Sequence, residues 1–247
     1  MNRRRCVMKH LTRRSVTTGM LAAVTAIPAV GLAVVARSDP LERIKHHTAS
    51  LAQAMRGAAK GLGMSTHFVN FSAEVTPAST EGLIATVATL HNQGATEIHL
   101  MLSTPGGSVM HGFTIYNVLR SIPVNLHTYN MGNVDSIGNV IFLAGSHRFA
   151  CPHSTFMFHG VGFDLVGSIR LDDKLLREKL DSISADHKRI ASVIEQYSSL
   201  DERQVVQLFE EARTKDAAWA QSVGLIEAVR EPEIAAGIPV HSLVFSR

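Results

Sequence analysis

Between His67 and Phe158 short apolar runs of period two alternate with segments of helical spacing, and the connections are only a few residues long. That alternation restricts the chain to an α/β domain with mainly parallel strands, because each parallel pairing needs a crossover that a helix supplies. His67–Phe71 reads as a strand. Thr76 and Pro77 form a helix start, with Thr as N-cap and Pro at the first helical position. Leu83, Ile84, Val87 and Leu90 share one helical face, and Gly94 ends it. Glu97–Ser103 is the next strand, residues 108–121 a helix stopped by Pro123, Val124–Asn130 a strand, and Ser136–Ala144 a helix. Phe149 and Thr155–Phe158 mark two short strands. Helices then cover the sheet faces, and functional loops lie at the carboxyl ends of strands. Residues 168–197 contain no glycine and many charges, and they read as one long helix with Leu176, Leu180, Ile183, Ile190 and Ile194 along one edge. Such a helix either packs on its own domain or projects to meet another subunit.

The ends divide the chain further. Residues 1–14 are basic, and residues 15–36 carry no charge, as in an export signal or a membrane anchor. Thr12-Arg13-Arg14-Ser15-Val16 resembles a twin-arginine export motif, and Val34-x-Ala36 offers small residues for cleavage. These features predict an exported, periplasmic or inner-membrane-anchored protein, possible membrane association running through residues 15–36. A cytoplasmic enzyme is the alternative. Residues 37–65 read as a linker, 66–230 as the catalytic domain and 231–247 as a C-terminal tail. Six of the 24 Lys+Arg lie in the first 14 residues, so the remaining 18 face 21 Asp+Glu. The net charge of +3 therefore belongs to the N-terminus and does not mark a nucleic-acid-binding face. Two cysteines, Cys6 and Cys151, make neither a disulfide framework nor a cysteine zinc site. No metal or cofactor is expected, and Cys151 is expected as a small buried hydrophobe.

Three short constellations carry chemistry. Ser103-Thr104-Pro105-Gly106-Gly107-Ser108 links a strand to a helix, and its glycine pair lets backbone N–H groups face a ligand. Gly132-Asn133-Val134-Asp135-Ser136-Ile137-Gly138 places a serine where a helix opens, either as a simple cap or as a nucleophile in a positive backbone field. Phe156-Met157-Phe158-His159-Gly160 puts a histidine at the end of an apolar strand, as a core group or as a base.

In this order and spacing, the three resemble the ClpP peptidase family. The resemblance extends over residues 67–228 through Leu102-Ser103-Thr104-Pro105-Gly106-Gly107-Ser108-Val109, Met131-Gly132-x3-Ser136-x-Gly138, Ala144-Gly145-x2-Arg148-x-Ala150-x-Pro152, Met157-x-His159 and Ala217-x2-Ala220-x3-Gly224-Leu225-Ile226. It implies a ClpP/crotonase-like α/β fold of stacked ββα units, with residues 161–197 as a protruding handle between rings. It also implies a serine endopeptidase with Ser136 as nucleophile, His159 as base and the Gly107 and Ile137 amides as the oxyanion hole. Substrates would be peptides or unfolded proteins, and the assembly a homo-oligomeric ring. Family members receive chains from an AAA+ unfoldase, a partnership that export would put in doubt, and the chain has no G-x4-G-K-[ST] of its own. One departure matters: the family's aspartate position falls on Ala212. Glu210, Glu211 and Asp216 lie nearby. Asp216 reads as a helix cap, and Glu211 is the expected orienting acid. The alternatives are a weak or silent ring subunit, a crotonase-like acyl-CoA enzyme for which Ser136 is dispensable, and a Ser–Lys dyad using Lys174, Lys179 or Lys188.

Overall fold

Alternating burial builds the first strand, β1 (Ser65–Ser72), whose Val69 and Phe71 are fully buried. The computed structural model describes residues 65–162, 167 and 172–245. The expectations for residues 1–36 and 37–64 lie outside the described residues. Helix α1 (Pro77–Asn92) begins as expected. Thr76 Oγ1 accepts the Ser79 amide at 3.2 Å, and Ser79 Oγ returns the bond to the Thr76 amide at 2.9 Å, closing a capping box. Its Leu83, Val87 and Leu90 are buried, while Ile84 is only half-buried.

Then follow β2 (Ala95–Thr104), α2 (Val109–Ser121), β3 (Asn125–Asp135), α3 (Gly138–Phe142), β4 (His147–Ala150) and β5 (Thr155–Met157). The remaining elements are α4 (Asp173–Gln196), α5 (Glu202–Glu211), β6 (Thr214–Asp216), α6 (Ala217–Ser222), β7 (Ala228–Val229) and β8 (Val240–Ser242). The sheet order is β6-β5-β3-β2-β1-β8, with β4 paired to β3 and to β7. Every pairing is parallel except β5–β6.

β3 runs further than the sequence suggests. The sequence reading ends this strand at Asn130, yet it continues to Asp135, and its two halves serve different partners. Residues 127–130 pair with β4, and residues 133–135 pair with β5. A Cβ at position 132 would sit 3.2 Å from Ser103 Oγ, so this glycine lets two strands approach closely. The helix after β3 is correspondingly shorter than 136–144.

Leu83, Val87, Ile115, Leu119, Val140 and Ile141 from the first three helices pack on Val69, Phe71, Ile98, Leu100 and Leu102 in one core. The residues of opposite parity, Phe68, His99, Met101, His127, Tyr129 and Phe149, form a second face with its own ring contacts. The expectation of helices on both faces is met on one: among the described residues, this second face is bordered by the segment carrying Arg230, whose guanidinium lies 3.8 Å from the Phe149 ring centroid. Cys151 is also at this face and is half-buried rather than buried, with Met131 Sδ at 3.7 Å.

α4 starts at Asp173, capped by Asp172, five residues later than the pattern suggests. Its buried residues are confined to Ile190, Ala191, Val193 and Ile194, whereas Leu176 and Leu180 are exposed. The helix thus packs on its own domain at its C-terminal end and leaves the apolar edge of its N-terminal half exposed. Among the described residues, no helix is long and apolar enough to cross a membrane.

Candidate active site

β2 and β3 end side by side, and their exits bring two of the constellations together. After β2 the chain turns through Gly106 and Gly107, whose φ angles of 89° and 141° suit glycine. A Cβ on Gly106 would lie 2.6 Å from Ser136 Cβ, and one on Gly107 would lie 2.4 Å from the Val75 carbonyl oxygen. The turn is fixed on Val75, whose amide donates to Gly106 O at 2.7 Å and whose carbonyl accepts from Ser108 at 2.9 Å.

Ser136 does not cap a helix. It has φ 56°, one of two non-glycine residues with positive φ among those described, and Ile137 takes the N-cap position. A serine there carries a conformational cost of order 1–3 kcal/mol that the surroundings must hold in place. They do so with hydrogen bonds to Met157 and from Asn139. The Ser136 amide donates to Met157 O at 2.8 Å. The buried Asn139 side chain donates from Nδ2 to Ser136 O at 3.0 Å and to Met157 O at 2.9 Å. Asn139 therefore ties the serine turn to the strand that leads, two residues on, to His159. Sequence reasoning missed it, since an asparagine inside a short helix gives no signal of its own.

His159 is half-buried, and its Nδ1 donates to the Gly160 carbonyl at 2.8 Å. A carbonyl can only accept, so Nδ1 carries a proton, and in the neutral ring this leaves the lone pair on Nε2. The next residue is anchored as well, with the Val161 amide donating to His187 Nε2 at 2.7 Å. No hydrogen bond joins Ser136 Oγ to His159 among the described residues; such contacts often tighten only when substrate binds. The Gly107 and Ile137 amides have no acceptor among the turn and cap hydrogen bonds, which leaves both N–H groups beside Ser136 available.

The structure does not bring Glu211 to the imidazole. Glu211 ends α5 on the exposed surface and accepts from Lys215 Nζ at 2.9 Å and Gln207 Nε2 at 2.9 Å. The Lys215 bond, followed by the Gln207 bond, lowers its pKa from the ordinary carboxylate value. Ala212 follows with φ 46° and carries only a methyl group. Asp216 is the expected cap, accepting from the Trp219 amide at 2.7 Å. Lys174 pairs with Glu178 along exposed α4.

A different carboxylate feels His159. Asp135, the last residue of β3, pairs with Met157 across the ladder and accepts from Asn133 Nδ2 at 2.7 Å. Burial pushes its pKa up, while the Asn133 bond and the neighbouring His159 pull it down.

A family model described as Clp protease matches residues 62–233. The chain belongs to the Clp protease family. Among curated Clp protease relatives, it is 29% identical to the ATP-dependent Clp protease proteolytic subunit 2 of Corynebacterium glutamicum over 54% of this chain and 65% of that protein. It is 31% identical to proteolytic subunit 1 of Streptomyces coelicolor over 58% of this chain and 64% of the relative. The chain thus spans a little under two thirds of the length of these two relatives. A solved ClpP1 mutant from Listeria monocytogenes shares the Clp protease fold, with a TM-score of 0.57 and 20% identity over 68% of this chain and 92% of that one.

Proposed function

We propose that the chain is a serine endopeptidase in which Ser136 attacks the peptide carbonyl and His159 is the base. The observation that carries this reading is Ser136 held at φ 56° beside the Gly106–Gly107 turn, with two unengaged amides next to it. His159 Nε2 takes the Ser136 hydroxyl proton as Oγ bonds to the carbonyl carbon. The carbonyl oxygen becomes an oxyanion that the Gly107 and Ile137 N–H groups stabilise. Collapse breaks the C–N bond, and His159 passes its proton to the departing amine. Water, deprotonated by His159, then hydrolyses the acyl ester and frees Ser136. Substrates are peptides or unfolded chains. The uncovered apolar edge of α4 at Leu176 and Leu180 supports a homo-oligomeric ring in which this helix meets another subunit. The basic and uncharged segments of residues 1–36 support export or membrane anchoring, which would separate the enzyme from an AAA+ unfoldase.

The experiment is labelling of the full chain with a fluorophosphonate serine probe. Labelling is expected for the parent and absent from Ser136→Ala and His159→Ala. A folded, oligomeric parent that takes up no probe would overturn the peptidase reading. It would favour a silent ring subunit, the second reading that Ala212 and the outward-facing Glu211 support.

Asp135 is proposed to stabilise the His159 imidazolium through its charge. Its raised pKa means that the folded state holds the carboxyl proton more tightly than the unfolded chain. The resulting stability is present below the unfolded carboxylate range and is lost as pH rises through the folded value. Asp135→Asn removes that loss, so thermal melts of variant and parent should diverge in favour of the variant as pH rises from 4 to 7. Activity should nevertheless fall about ten-fold, the effect of losing charge stabilisation equivalent to one pKa step. A less stable variant of unchanged activity would make Asp135 a structural residue only.

A further inference from the structure

The second face of the sheet carries a cluster outside the peptidase site. Glu97 and His99 are two apart on β2 and so point to the same side, and His127 of β3 is the register partner of His99. Glu97 Oε1 lies 2.9 Å from His99 Nε2 and 3.1 Å from His127 Nε2. All three ligand atoms lie within 4.8 Å of one another. The two imidazoles are stacked, with centroids 4.4 Å apart and planes at 24°. The other carboxylate oxygen of Glu97 accepts from Thr66 Oγ1 at 3.3 Å, which fixes the carboxylate from behind.

We propose that Glu97, His99 and His127 bind a zinc ion on the second face of the sheet, with water completing the coordination. Two imidazole nitrogens and one carboxylate oxygen are a known zinc donor set that leaves one position open. Bond lengths of about 2.0–2.2 Å put neighbouring ligands of a tetrahedral ion about 3.4 Å apart. The observed 2.9 and 3.1 Å separations need to open by only a few tenths of an ångström. The side chains are 17%, 12% and 13% exposed, so the site is shielded yet reachable. The Nδ1 atoms of both rings are buried without a hydrogen-bond partner.

Metal binding requires neutral imidazole. The rings reach zinc through Nε2 once the ring proton sits on Nδ1. Arg230 is the opposing charge at this face, and its field also disfavours protonation of His99 and His127. His147 extends the row, its ring centroid 4.8 Å from His127, and is paired with Glu227. Five residues separate His99 from the end of β2, about 17 Å along the strand. The zinc site is therefore distinct from the Ser136 turn, and its role is to clamp β2 to β3.

The test is calorimetric titration of the chelator-treated full chain with Zn²⁺. One ion per chain is expected, with a Kd on the order of micromolar or tighter. Zinc at a hundred times Kd should raise Tm by about 5–10 °C. His99→Asn and His127→Asn should each weaken binding ten-fold or more, and His67→Asn, on β1, should not. Zinc should also protect His99 and His127 of the unaltered chain from diethylpyrocarbonate, read by mass spectrometry. That measurement does not depend on any variant folding. Absence of saturable binding, binding that survives both substitutions, or protection confined to other histidines would overturn the site.

Discussion

Ser136→Ala is expected to lower kcat/KM for peptide hydrolysis by about 10²–10³, well short of the loss seen when a complete triad is broken. In a fully equipped serine protease, removing the serine costs about 10⁶, and removing the acid alone costs about 10⁴. Here the family's acid position is Ala212, and Glu211 is engaged by Lys215. Under the proposed mechanism the parent therefore starts from a dyad, and most of the acid's contribution is already missing. The charge proposed for Asp135 would restore part of it without a hydrogen bond to the ring. Ser136→Ala combined with His159→Ala should be no slower than either change alone, because the two groups act as one unit. Kinetics with a fluorogenic peptide would check both points. A loss near 10⁶ would mean that an acid does reach His159, and additive losses would show that Ser136 and His159 work separately.

Asn139→Ala is expected to cost about 2–4 kcal/mol of stability, since it removes two hydrogen bonds made by a buried side chain, one to the Ser136 carbonyl and one to the Met157 carbonyl. The corresponding fall in Tm is about 5–15 °C. Activity should drop about 10²-fold in the fraction that remains folded, because a misplacement of about 1 Å between serine and histidine is enough for that. Asn139→Asp is nearly isosteric but turns a two-bond donor into an acceptor facing two carbonyls, and it should be worse than alanine. Asn139→Ala with the parent's melting temperature and turnover would remove Asn139 from the positioning role.

Much of this architecture is legible before any coordinates. Thr76-Pro77, Gly94 and Pro123 punctuate the elements because caps and breakers act locally, and the strand–helix alternation dictates the parallel sheet. What stays hidden depends on approach between distant segments. The strand through Gly132 looks finished at Asn130 until Ser103 is placed against it. Ser136 looks like a cap, since sequence does not report that the chain enters the left-handed region there. Glu211 is near the acid position in sequence, but the left-handed turn at Ala212 and the i,i+4 bond to Lys215 hold it at the surface. The Glu97–His99–His127 group is invisible because His127 joins it only through the β2–β3 register.

The pairing of β1 with β8 bears on how the protein is made. Phe68 to Asn70 meet Val240 to Ser242, so the first and last described strands are neighbours. A ribosome delivers β1 and β2 long before β8, and until residue 242 emerges one side of β1 offers its unpaired N–H and C=O groups to any extended chain nearby. The nascent sheet is consequently most vulnerable to pairing with a second copy during synthesis. Ribosome stalling or proteolytic trimming before Val240 would prolong that exposure, and β8 acts as the closing strand that ends it.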